Sequence, residues 1–176
     1  MKTMDTLEEY LLEEMRDMYH AEGQLLRVIP RMARSATSHQ LRQLLEQHRD
    51  ETQRHRERLE QAFVILGQPA RGTRSEAMAG LLKEGDELLL VSGDPAVKDA
   101  AIICLTQKVE HYEIASYRCL CIYAGLLGLA QIEQLLAESL EEEKDADHTL
   151  MEFAKNEFYV STVRSRRRGL SLAAEL

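Results

Sequence analysis

The chain has 176 residues, 44% hydrophobic and 30% charged, with no Trp and only three Phe, three Pro and nine Gly. That size suits one domain, or one domain with a tail, and apolar content dominated by Leu, Ala, Met and Ile favours helix over sheet. The formal net charge of −8 argues against a nucleic-acid partner, and no apolar run is long enough to span a membrane. The N-terminal residues, MKTMDTLEEY, lack the apolar core of a signal peptide. The three cysteines, Cys104, Cys119 and Cys121, cannot complete a disulfide framework. Both observations lead to the expectation of a reducing, cytoplasmic setting.

Apolar periodicity predicts a first helix from about Leu7 to Arg34. Thr6 and Glu9 can form a capping box at its start. Leu7, Leu11, Met15, Met18, Leu25, Ile29 and Met32 recur at three- and four-residue steps, and Glu22 falls on the same face. Pro30 removes one hydrogen bond and should bend the last turn. A turn at Ser35 to Ser38 follows, where Thr37 and Gln40 offer a second capping box. The second stripe runs through Leu41, Leu44, His48, Glu51, His55, Leu59 and Phe63, and Gly67 and Pro69 end it.

Residues 68–96 are rich in Gly and hold two Pro, with Thr73 and Glu76 placed to open a short helix over Ala77 to Leu90. This stretch must carry the chain from one helical hairpin to the other. Asp94 and Pro95, as cap and first residue, begin a third helix that breaks at Gly125 to Gly128. A fourth helix covers about Ala130 to Ala154. The pattern is all-α: a four-helix bundle with one long crossover containing a short helix. The bundle is expected in residues 1–155. Residues 156–176 are expected to form a mildly basic tail, either flexible or contacting a second subunit.

The anomaly is acidic. Glu22, Glu51, Glu113 and Glu143 interrupt apolar faces near mid-helix. Glu22 lies 14 residues before Ala36 and Glu51 lies 15 after it; Glu113 and Glu143 lie 15 either side of Gly128. At 1.5 Å per residue all four sit about 21–23 Å from their turns, so hairpins packed with both turns at one end bring them into one layer. His55 is one turn beyond Glu51, Asp147 one turn beyond Glu143, Glu110 three residues before Glu113, and His48 three before Glu51. Carboxylates clustered in a core must take protons, admit water or neutralise a cation. Oxygen donors with imidazole suit iron or manganese, zinc fits as well, and this many carboxylates suffices for two ions. The expected ligands are therefore Glu22, His48, Glu51, His55, Glu110, Glu113, Glu143 and Asp147. Glu51 and Glu143 are expected to bridge, with Glu22 and Glu113 terminal.

Four pieces of the chain together resemble the YciE/YciF branch of the ferritin-like superfamily over about residues 5–155. They are Asp17 to Glu22, His48 to Thr52, Val109 to Tyr117, and Glu141 to Asp147. The resemblance implies a ferritin-like bundle similar to rubrerythrin and bacterioferritin, a homodimer and a role in stress response. It carries over Glu22, His48, Glu51, Glu110, Glu113, Glu143 and Asp147. The rubrerythrin-like Glu-x-x-His pattern is not kept, since Arg54 and Ala146 stand where histidines are expected. No rubredoxin-like cysteine module supplies an attached electron donor, so redox turnover would need a separate one.

Two other classes stay open: a metal-free structural or interaction bundle, and a DNA-protecting cage. Cage proteins place ligands between subunits, whereas this chain offers a full intrachain set. Ordinary roles are expected for the remaining residues of interest. His20, His39, His111 and His148 are read as surface or boundary groups and the cysteines as small apolar residues. Tyr19, Tyr112 and Tyr117 can donate hydrogen bonds to carboxylates, with core packing their expected role, and Arg54, Arg56 and Arg58 are read as solvated helix surface.

Overall fold

The computed structural model describes the backbone of residues 4–90 and 93–173, and the side chains among these up to Asn156. Within them stand five helices: α1 (Leu7–Ser35), α2 (His39–Ile65), α3 (Glu76–Leu89), α4 (Pro95–Leu126) and α5 (Ala130–Ala173). The local signals explain most boundaries. Thr6 and Glu9 form the expected capping box, and Asp94 accepts the Ala96 N–H at 2.8 Å at the start of α4. Gly128 takes a φ of 70°, which ends α4 at little steric cost. Pro30 lies inside α1, which nevertheless continues to Ser35. The cap of α2 is Ser38, not Thr37. The helix of the fourth stripe does not stop near Ala154 but runs on to Ala173. The side chains of the basic cluster Arg164 to Arg168 lie outside the described residues.

The four long helices close a ring in which α1 packs on α2, α2 on α5, α5 on α4 and α4 on α1. The short α3 lies outside the ring against α4 and α1. Gly85 makes its contact with α4 close, because a Cβ there would stand 2.3 Å from Leu105 Cδ2.

One tie fixes the direction of the second hairpin. The Asp99 carboxylate accepts from Thr37 N at 2.7 Å, Thr37 Oγ1 at 2.6 Å and Ser38 N at 2.8 Å. The start of α4 therefore sits beside the α1–α2 turn, and this is why Thr37 is not free to cap α2. At the other end Tyr10 of α1 meets Tyr123 of α4, ring centroids 5.6 Å apart. The two hairpin turns thus lie at opposite ends, correcting the expectation that they share one. Helices α2 and α4 run parallel, so the chain must travel back along the bundle between them. The polar layer survives because Glu113 is near the middle of α4, 14 residues from Asp99 and 15 from Gly128.

Apolar side chains fill the bundle on both sides of that middle. Leu41, Leu45, Ile102, Leu105, Leu150 and Phe153 are buried toward the α1–α2 turn, and Leu11, Leu59, Phe63, Leu120, Ile132 and Leu136 toward the α4–α5 turn. No described helix is long and apolar enough to cross a membrane.

Candidate metal centre

Between these two apolar layers sit six ionisable side chains. Glu22, His55, Glu113 and Glu143 are fully buried, Glu110 is 1% exposed and His48 is 5% exposed. Helical spacing aims them inward: His48 and His55 are two turns apart on α2, and Glu110 and Glu113 one turn apart on α4. Ligand atoms of His48, Glu110, Glu113 and Glu143 all lie within 4.8 Å of one another, and so do those of Glu22, His55 and Glu143. Glu143 belongs to both sets.

The decisive property is the lack of partners. Glu22 Oε2, Glu110 Oε2, both oxygens of Glu113 and Glu143, and both ring nitrogens of His48 are buried without a hydrogen bond. His55 Nδ1 stands 2.8 Å from Glu143 Oε1 and 3.7 Å from Glu22 Oε1, but in no hydrogen-bond geometry. Apart from the ion-pair contacts of His55 with Glu143 and of His48 Nε2 with Glu110 Oε1 at 3.6 Å, these donor atoms converge without bonding one another, as ligands of a shared ion do. Buried groups of this kind are costly unless something satisfies them. The four carboxylates carry a formal charge that two divalent cations would cancel. Oxygen with imidazole nitrogen is a donor set for iron, manganese or zinc.

The site is braced from behind. Tyr117 Oη donates a short hydrogen bond to Glu22 Oε1. His55 Nε2 pairs with Glu142 Oε2 at 2.8 Å, and Arg58 grips Glu142 with two N–H···O bonds of 2.9 Å. This anchor turns the other nitrogen, Nδ1, toward Glu22 and Glu143. The reading of Arg58 as solvated surface is therefore corrected: its side chain is only 14% exposed and serves Glu142. Tyr117 likewise does more than pack. Glu142 sits outside the apolar stripe, so periodicity does not point to it; its signal is the complementary charge of Arg58 on the helix opposite.

Electrostatics follow from burial. Burial pushes Glu22 up to about 8 and, with the neighbouring Glu143 charge, holds Glu110 and Glu113 well above the usual carboxylate range. It also works against ionised Glu143, but the His55 and His48 imidazoles outweigh it and keep that carboxyl below its ordinary value. Burial lowers His48. It pulls His55 the same way, yet Glu142 and Glu143 overcome it and lift His55 to about 10. Without metal the layer thus approaches neutrality with protons: three neutral carboxyls and a Glu143–His55 ion pair.

Two expected ligands lie outside both donor sets. Glu51 is held by Gln47 Nε2 at 2.9 Å and keeps 14% side-chain exposure. Asp147 Oδ1 is buried without a hydrogen bond, 3.3 Å from the exposed His111, and belongs to neither set. His20 is half-buried and accepts the Ser75 N–H at 3.3 Å, so it is more than a boundary residue. Cys104 and Cys119 are exposed, and only Cys121 is partly buried.

Residues 6–161 match the family described as "Domain of unknown function (DUF892)". Protein YciF of Escherichia coli strain K12 is 38% identical over 154 residues, covering 87% of this chain and 93% of that protein. The chain belongs to this YciF-like, ferritin-like family. The crystal structure of the E. coli stress protein YciF overlays with a TM-score of 0.86 at 37% identity, covering 89% of this chain and 99% of that one. YcfI of Rhodopseudomonas palustris overlays at 0.83 with 43% identity, covering 85% and 95%. A protein of Xanthomonas campestris pv. campestris, 22% identical, shares the fold at 0.72, covering 92% and 99%.

Within this YciF-like bundle, Arg54 occupies the place of a rubrerythrin-like histidine. It points outward at 47% exposure toward Glu142 at 3.6 Å and Glu51 at 3.9 Å. His55, one residue further along α2, takes the interior.

Proposed function

We propose that the chain is a dinuclear metal protein that holds two iron or manganese ions in its mid-bundle layer. Glu143 is the shared ligand. His48, Glu110 and Glu113 complete one side, and Glu22 and His55 the other. The observation that carries this reading is the pair of buried donor sets joined at Glu143, with oxygens and nitrogens left unpartnered. Glu143 would serve both ions, whereas Glu51, expected to bridge beside it, lies in neither set.

Such a pair of redox-active ions supplies stepwise electron transfer with dioxygen or peroxide. Oxidation of Fe(II) or removal of peroxide is thus the proposed activity, in keeping with the stress role printed for the E. coli relative. The chain's own contribution is positional. Tyr117 holds one Glu22 oxygen and leaves the other free. Arg58 and Glu142 hold His55 in one ring orientation. The apolar layers toward the two ends of the bundle shut water out from those directions, so a cation would bind where competing hydration is reduced.

A second reading rests on the protons: a metal-free interaction bundle can neutralise the layer with raised carboxyl pKa values and the His55 pair. Metal analysis after anaerobic Fe(II) or Mn(II) loading and dialysis separates the two. The metal reading expects near two ions per chain, lost in the double variant Glu113→Ala/Glu143→Ala. Binding no greater than that of the variant contradicts it.

A further inference from the structure

The six buried groups need a route for ions, and the two flanks of the site differ. On the α2–α5 side a cavity of about 160 Å³ reaches inward to His48 and Glu110, with Glu51, Glu142 and Asp145 along its wall and rim. That volume admits about five water molecules, enough for a partly hydrated ion. Its inner wall is the unpartnered face of the site: His48, at least nine-tenths buried, has neither ring nitrogen bonded, and Glu110 Oε2 is bare. No Lys or Arg side chain lines this cavity, although Arg54 stands beside its acids Glu51 and Glu142. On the α4–α5 side the surface hollow is lined by His111, Arg118 and Lys144 against the single acid Asp147. A divalent cation is drawn to the first mouth and repelled from the second.

We propose that the α2–α5 cavity is the uptake port of the site, and that Glu51 is a transit ligand for a divalent cation rather than a resident one. This rests on the metal reading above. Glu51 is placed for the task. It lines the cavity at 14% side-chain exposure, hydrogen-bonded to the Gln47 amide and 3.9 Å from the half-exposed Arg54. An ion arriving at Asp145 and Glu51 meets next the free imidazole of His48 and the Glu110 carboxyl. Arg54 stands across the mouth, 3.6 Å from Glu142, as a cation that must be displaced by the arriving one.

The test is anaerobic stopped-flow uptake of Co(II), read by its absorbance, with stoichiometry from equilibrium dialysis. The full chain is compared with Glu51→Gln and with Asp145→Lys, an exposed rim change that leaves the core alone. Both variants are expected to take up Co(II) about tenfold more slowly at low salt, to converge on the unmodified rate in high salt, and to keep two ions per chain. Rates equal to the unmodified chain in both variants would overturn the port. Loss of an ion from Glu51→Gln would overturn the transit role and make Glu51 a resident ligand. No uptake by the unmodified chain would overturn the metal reading itself, and the port with it.

Discussion

Two polar clusters of this bundle, one part-buried at its edge and one buried at its middle, differ in what they lack. Where the crossover meets the bundle, Asp17 Oδ2 accepts from Ser75 Oγ at 2.8 Å and Tyr112 Oη at 2.7 Å, while His20 takes the Ser75 N–H. Thr73 N adds a bond to Arg16 O at 3.1 Å. Those interactions are matched and pin the loop before α3 onto α1 and α4. In the mid-bundle layer the carboxylates and His48 point at one another with few bonds between them. The first cluster is finished by the protein; the second is complete only with protons or cations. Burial of a polar group alone therefore does not mark a site, whereas several buried, unpartnered donors converging on one another do.

The sharpest way to break this contrast is to remove the shared ligand. Glu143→Ala takes a donor from both sets, and metal affinity is expected to fall at least about 100-fold, measured by calorimetric titration, with fewer than two ions bound. Ser75→Ala, in the finished cluster, is expected to leave affinity and stoichiometry unchanged.

Metal should also stabilise the fold through the layer alone. A divalent ion at about 100 times its dissociation constant adds about 2.7 kcal/mol. In a chain of this size that corresponds to a rise in melting temperature of about 5–10 °C. Scanning calorimetry with Mn(II) checks this, and the rise is expected to vanish in Glu143→Ala.

The pH dependence has a defined sign. Glu22, Glu110, Glu113 and His55 hold protons more tightly folded than unfolded. The folded state therefore binds more protons between pH 6.5, where an ordinary histidine titrates, and about 8, the value for Glu22. The metal-free chain loses stability as pH rises through that window. His48 acts in the opposite direction only at and below its ordinary value, and Glu142 and Glu143 only in the acid range. A loss of about 1 kcal/mol or more per pH unit is expected in urea unfolding. Metal loading should abolish it, because the ions displace the same protons.

The smallest expected effect is in the finished cluster. Ser75→Ala removes the hydroxyl between Asp17 and Tyr112 and should cost about 1–2 kcal/mol by the same unfolding measurement.

Much of this contrast was legible in the sequence. Periodicity placed α1, α2 and α4, and helical spacing placed Glu22, Glu113 and Glu143 in one layer. Composition could not show the hairpin direction. That depends on the long-range tie of Asp99 to Thr37 and Ser38, 62 and 61 residues away in the chain. Counting along helices also cannot settle which of two neighbouring residues turns inward. Hence Glu51 and Asp147 share the expected ligand face, yet neither belongs to the two buried donor sets. Glu142 escaped for the converse reason: it lies off the apolar stripe, and only its pairing with Arg58 and His55 reveals its task.

Diffraction at the absorption edge of the loaded metal, on crystals prepared anaerobically with Fe(II) or Mn(II), tests the central claim most directly. Two anomalous peaks flanking Glu143, one beside His48, Glu110 and Glu113 and the other beside Glu22 and His55, are the predicted result. A fully loaded crystal with no peak in that layer would contradict it.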